Sequence, residues 1–323
     1  MMDFHLTDDQ QALISALQAI LRDHGDLPQD QRLSYAYYNA ELQDLLKNGG
    51  FFEAAREMGP LEAALIVVEA ARLPVLVETG ASALVAPMVL AANECAEGPV
   101  ALVNGPDLDK AHRNLPIAKT ALIDMGDDVV VLPVAAGAVE PIKSVLAFPY
   151  GRFRRAPELG AGRRIAGAGP KLRQWWRVAI AAEAAGAADS AVNFTVEYVK
   201  QRHVFGRAVG SFQSVQHRLV QCHAIARATY YLALRAAWSG ESVHADIAAC
   251  YIQQNVGRLL FDLHQFHGGM GVTTEHLLHF WTYRVRALQA EVGGVNDAAR
   301  AVAAQLWPAP AKAAQKGLLA QAG

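Results

Sequence analysis

Cysteine is scarce. The chain has three in 323 residues, and Cys95, Cys222 and Cys250 share no metal-ligand spacing. Their odd number argues against a disulfide framework and points to reduced thiols in a cytoplasmic protein. Positive charge is not in excess either: 29 Lys and Arg stand against 31 Asp and Glu, net −2, which argues against a nucleic-acid-binding face. Long apolar runs are missing. The richest stretch, residues 61–92, is broken by Glu62, Glu69, Arg72 and Glu78 and by Pro74 and Pro87, whereas a membrane helix needs roughly 20 nearly uninterrupted apolar residues. It reads as buried helices. The first twenty residues carry acids without the basic segment that opens a secretory signal. No internal repeat is visible.

Alanine and helical periodicity are abundant instead, in a chain that is 52% hydrophobic. Thr7 is a helix N-cap candidate, with Leu13, Leu17, Ile20 and Leu21 following at helical spacing. Asn48-Gly49-Gly50 breaks a second helix, and Pro60 is placed to start a third. From Gly98 the pattern changes to short β-branched runs at 100–103, 120–123, 128–133 and 144–148, separated by turn residues. A Gly/Arg-rich linker at 160–169 leads to long helical patterns at 172–202, 214–238, 243–265 and 276–291, with a shorter one from Asn296. Val178, Ala182, Ala185, Ala188 and Val192 form a small apolar stripe on the first of these, suited to close packing in a bundle. The expected fold is mainly α with a small β domain: a helical domain at 1–97, a β domain at 98–158 and a helical bundle at 159–323.

Two segments carry a chemical signal. In residues 198–219 a helix ends on Arg202, Phe205-Gly206 and Val209-Gly210 make a turn, and Ser211 is placed to cap the next helix, which opens on Phe212-Gln213. An arginine fork beside a helix N-terminus suits a phosphate. In residues 263–279 a helix stops at Gly268-Gly269 after Gln265, and Gly271 leaves room for a close ligand. His264, His267, His276 and His279 crowd this region, but Glu275 is the only carboxylate among residues 263–279 and no cysteine is near, so no metal site is expected. Trp175, Trp176 and Trp281 read as core or interface anchors.

These two segments resemble the acyl-CoA dehydrogenase family. Arg202, Phe205, Gly206, Phe212 and Gln213 match its inter-helix motif, and Gln265, Gly268 and Gly269 match its glutamine-x-x-glycine-glycine turn. Phe4, Leu6, Thr7 and Gln10, with residues 62–69, resemble its opening helices more weakly. The resemblance implies a helical domain, a β domain and a four-helix bundle. It also implies FAD as cofactor, touched across a subunit interface by Arg202, Phe205, Gln213, Gln265, Gly268 and Gly269, and an acyl-CoA substrate that gains an α,β double bond.

The chain departs from the family in what holds its own flavin. By alignment Gly293 stands where the glutamate base usually is, Val295 and Asp297 replace two polar flavin contacts, and Trp176 occupies an alternative base position. Glu291 and Glu275 are the nearest carboxylates to serve as a base. The β region, about sixty residues, lacks the family's Thr-Glu-Pro and Trp-x-x-Asn/Ser segments. Retention of trans-acting residues with loss of the others implies a short subunit that completes the FAD site of a larger acyl-CoA dehydrogenase subunit, as an α2β2 complex with a separate electron-transfer acceptor. Several heteromeric members of this kind act on steroid side-chain CoA thioesters. The rival readings are an autonomous dehydrogenase using Glu291 or Glu275, and a non-catalytic scaffold.

Overall fold

Thr7 caps the first helix reciprocally: Gln10 N–H donates to Thr7 Oγ1 at 3.3 Å and Thr7 N–H donates to Gln10 Oε1 at 3.1 Å. In this computed structural model, which describes residues 2–307, α1 (Asp8–His24) leads to α2 (Ala40–Asn48), α3 (Ala54–Glu57), α4 (Pro60–Ala71) and α5 (Ala86–Val89). Pro60 sits in the first turn of α4, where a missing N–H is harmless. A π-turn, Gly80–Val85, runs into α5. Leu17, Leu21, Leu42, Leu46 and Ile66 share a core, into which Phe280 inserts from far along the chain.

The β region contains β1 (Val100–Asn104), β2 (His112–Arg113), β3 (Thr120–Asp124), β4 (Val129–Pro133), β5 (Val139–Ile142), β6 (Tyr150–Phe153) and β7 (Arg163–Ile165). One sheet runs β1-β3-β4-β7, with β1 and β3 parallel and the other pairs antiparallel; the second runs β2-β6-β5. Alternation places Ala101, Val103, Ala121 and Ile123 in a small β core, while Val100, Leu102, Leu122 and Val129 face the main core. Two expectations need correction. Residues 144–148 are a turn: Leu146 N–H donates to Ser144 Oγ at 3.0 Å and Phe148 N–H to Leu146 O at 2.7 Å, and these local bonds displace a strand ladder. The stretch read as a linker carries β7, which pairs with β4 and takes the sheet past residue 158.

The bundle consists of α6 (Gly169–Gln201), then, after a short hairpin, α7 (Gln213–Ser239), α8 (Ser242–His267), α9 (Leu278–Leu288) and α10 (Gly294–Leu306). The alanine stripe of α6 is buried within this chain, where α6 packs against α4, α7, α8 and α9. At Gly186 a Cβ would overlap the backbone carbonyl of Val68, so α4 and α6 approach as closely as glycine permits. Trp175 and Trp176 are buried too, at 3% and 6% exposure; they are not outward anchors for a partner. No helix among the described residues is long and apolar enough to cross a membrane.

Candidate functional site

Between α6 and α7 the chain makes the hairpin β8 (His203–Val204) and β9 (Arg207–Ala208). Phe205 at φ 54° and Gly206 at φ 79° supply the two left-handed residues of a tight hairpin turn. The phenylalanine is strained there, and its ring stands 92% exposed. Arg202, Gln213, Gln265, Gly268 and Gly269 are exposed as well. Arg202 ends α6 through its backbone N–H, which donates to Tyr198 O at 2.9 Å. Its guanidinium joins none of the ion pairs among the described residues. Ser211 does not cap α7; its hydroxyl donates to Ala208 O at 2.7 Å, and Phe212 precedes the helix without a side-chain cap. That leaves the first N–H groups of α7 open to a ligand.

Tyr198 stacks on His267 at 4.2 Å. This contact holds the end of α6 against the end of α8, so the two motif segments meet at one end of the bundle, beside the exposed apolar side chains of Val204, Met270 and Val272. The neighbouring histidines bind the scaffold. His264 bonds Gly271 O at 2.7 Å and Thr282 Oγ1 at 3.1 Å, His279 bonds Ser34 O and His276 O at 2.8 Å each, and His267 bonds Thr195 Oγ1 at 3.0 Å. Burial pushes His267 down to about 3, helped by His276 and His264.

The second place is interior. A cavity of 680 Å³ opens between the β region and the bundle, lined among others by His112, Arg113, Tyr150, Trp176, Glu291 and Gly293. Glu291 is fixed at its wall. Arg113 Nε donates to Oε1 at 2.6 Å, Arg113 Nη2 to Oε2 at 3.1 Å, and Trp176 Nε1 to Oε2 at 2.8 Å. A carboxylate so bound is an anchor for Arg113 rather than a free base. Gly293 and Gly294 both have left-handed φ, so a glutamate at the aligned base position would be strained in this turn, and its Cβ would also displace the Asp297 carboxylate. Glu275 is exposed and does not line the cavity.

Behind Glu291 lie two carboxyls that sequence reasoning missed. Glu183, on α6 two turns beyond Trp176, accepts from Arg113 Nη1 at 2.5 Å. Burial pushes it up to about 7, against the pull of Arg113 and with the repulsion of Glu291 and Glu78. Glu78 accepts from Ala81 N–H at 2.6 Å and Ser82 N–H at 3.0 Å, and burial raises it as well. The signal available in the sequence was a lone glutamate in the alanine run 179–188.

Residues 173–306 match the family model described as "Acyl-CoA dehydrogenase, C-terminal domain". Over 141 residues the chain is 28% identical to acyl-CoA dehydrogenase IpdE2 of Mycobacterium tuberculosis, a stretch that is 44% of each protein, so the match spans under half of that relative's length. Among solved structures, a chain of the ChsE4-ChsE5 complex from Mycobacterium tuberculosis superposes with TM-score 0.76 at 21% identity, over 96% of this chain and 100% of that one. A Tcur3481-Tcur3483 steroid ACAD variant does so with TM-score 0.70 at 19% identity, over 93% and 98%. Residues 173–306 are thus similar to the acyl-CoA dehydrogenase C-terminal domain, and the described chain as a whole carries the acyl-CoA dehydrogenase fold.

Proposed function

We propose that this chain is a subunit of an FAD-dependent acyl-CoA dehydrogenase, which completes the FAD site of a larger acyl-CoA dehydrogenase subunit in an α2β2 complex. What supports this reading is the division of the two sites: the motif residues face outward at one end of the bundle, while the interior carboxylate nearest the usual base position is locked by Arg113 and Trp176. The outward residues fit the group. Arg202 offers a free fork for a pyrophosphate, the start of α7 offers unbonded N–H groups of the right polarity, and Phe205 offers an exposed aromatic face.

FAD, when bound, supplies hydride acceptance as an acyl-CoA thioester gains its α,β double bond. This chain's residues hold and orient: Arg202 pairs with phosphate oxygens, and Gln213 and the Gln265–Gly269 turn support it. Removing the α-proton needs a base within reach of it. Glu291 is tied to Arg113 and Glu275 lies outside the cavity, so the base belongs to the partner. The steroid ACAD among the structural neighbours makes a bulky CoA thioester the substrate class to test first. Reoxidation falls to a separate electron-transfer acceptor.

Co-expression with the candidate larger subunit, followed by a flavin spectrum, tests the reading. The complex is expected to carry FAD and the single chain little. Within the complex, Arg202→Ala is expected to weaken FAD binding about ten- to a hundredfold, the range for one charge-assisted bond. It should leave thermal stability unchanged, since the guanidinium caps nothing. A single chain that binds about one FAD and turns over acyl-CoA would overturn this reading in favour of an autonomous dehydrogenase.

A further inference from the structure

Among the buried side-chain polar atoms without a hydrogen-bond partner are Asn114 Oδ1, in a residue 4% exposed, and Arg284 Nε, in one 3% exposed. Both residues line the same small void behind the cavity wall, together with Glu78, Arg113 and Glu183. The void leaves about 20 Å³ for the centre of a water-sized sphere, room for a single water. Among its lining residues, Arg284 Nε–H is an unpartnered donor and Asn114 Oδ1 an unpartnered acceptor, and Glu183 lines it as well.

The charges around it do not balance without a proton. Glu78 and Glu183 line the void and Glu291 stands on the wall of the larger cavity, three carboxyls around the two guanidiniums of Arg113 and Arg284, with Tyr150 and His112, whose charged forms burial disfavours, beside them. A buried cluster of net charge −1 is costly. Glu291 accepts three hydrogen bonds, and Glu78 accepts three from backbone N–H groups (Ala81, Ser82 and Val100) and one from Ser82 Oγ. Glu183 has the Arg113 bond on Oε2, while its Oε1 lies against Gly80, where any Cβ would overlap it. The oxygen least supplied with donors is the one on which a proton is best placed.

We propose that this void holds one internal water bound by Arg284 Nε–H and Asn114 Oδ1, and that through it Glu183 takes up and releases the single proton that neutralises the cluster. With Glu183 protonated, its O–H donates to the water, which accepts from Arg284 and donates to Asn114. With Glu183 ionised, the water keeps both of those bonds and turns its second hydrogen to the carboxylate. The proton exchanges with bulk solvent and only one water reorients, so no side chain need move.

Carboxyl carbon NMR on the intact, glutamate-labelled chain tests this. The resonance missing from Glu183→Gln should titrate with a midpoint near 7, while the one missing from Glu78→Gln should stay flat between pH 5 and 8. A flat Glu183 resonance, or a Glu78 resonance that moves instead, overturns the assignment. If either variant fails to fold, infrared spectra of the unaltered chain decide: the C=O band of a protonated carboxyl must grow as pH falls through the same range and shift in D2O, and its absence overturns the proposal. A crystal structure should place one water within hydrogen-bond reach of both Arg284 Nε and Asn114 Oδ1; a dry void would overturn the exchange route.

Discussion

Glu183 and His267 are each buried, and burial moves them toward each other's territory: Glu183 from 4.5 up to about 7, His267 from 6.5 down to about 3. Their effects on stability have opposite signs. A raised carboxyl binds its proton more tightly when folded, so its contribution is complete below about 4.5 and is lost as pH rises through about 7. A depressed histidine binds its proton less tightly when folded, so its contribution is complete above about 6.5 and is lost as pH falls through about 3. Between 4.5 and 6.5 the two slopes oppose each other. Glu183→Gln should therefore make the unfolding free energy climb more steeply with pH over that interval, by up to about 1.4 kcal/mol per pH unit. His267→Gln should tilt it the other way. Denaturant unfolding at several pH values measures both, and parallel curves for Glu183→Gln and the parent would refute the raised carboxyl. At Arg202 the conservative change is informative for another reason. Arg202→Lys keeps the charge and loses the fork, so FAD titration of the complex should show only part of the affinity restored relative to Arg202→Ala.

At the scale of elements, Gly186 joins the N-terminal helices to the bundle. Gly186→Val would push a branched side chain into the Val68 carbonyl, which as backbone cannot swing aside, and should cost roughly 2 kcal/mol or more; equilibrium unfolding against the parent checks it. The long helices were legible because a period of 3.6 persists over many turns: expected limits of 172–202 and 243–265 became Gly169–Gln201 and Ser242–His267. The hairpin at 203–208 was not, since strands of two residues have no period to read and Phe205 is an unusual residue for a left-handed position. β5 and β6 were missed for a similar reason: the first contains Pro141, and the second alternates around Gly151 and Arg152. Half the site was legible. Arg202 and Gln265 belong to contiguous motifs, whereas the Arg113–Glu183–Glu291 cluster joins residues 70 and 178 positions apart, a pairing that only the fold creates.

For the whole molecule, the apolar surface available to a partner is smaller than the alanine content promised, because the α6 stripe and both tryptophans are already buried. Val204, Phe205, Met270 and Val272 form one exposed apolar patch, at the motif end of the bundle; Val220, Trp238 and Phe261 are exposed too. Phe205→Glu should weaken assembly with the larger subunit and leave the single chain's melting unchanged, since the ring touches solvent; size-exclusion chromatography of the co-expressed pair would register it, and full assembly would exclude this patch from the interface. The β region invites a different thought. α6 is about 50 Å long by its 33 residues, and it grips the N-terminal helices along one part and the bundle along others. The strands contribute little to that grip, so they can be whittled in number over evolutionary time while both helical ends stay seated. On the proposed function, the motif end of the bundle would then stay in register for a partner whatever the β region holds.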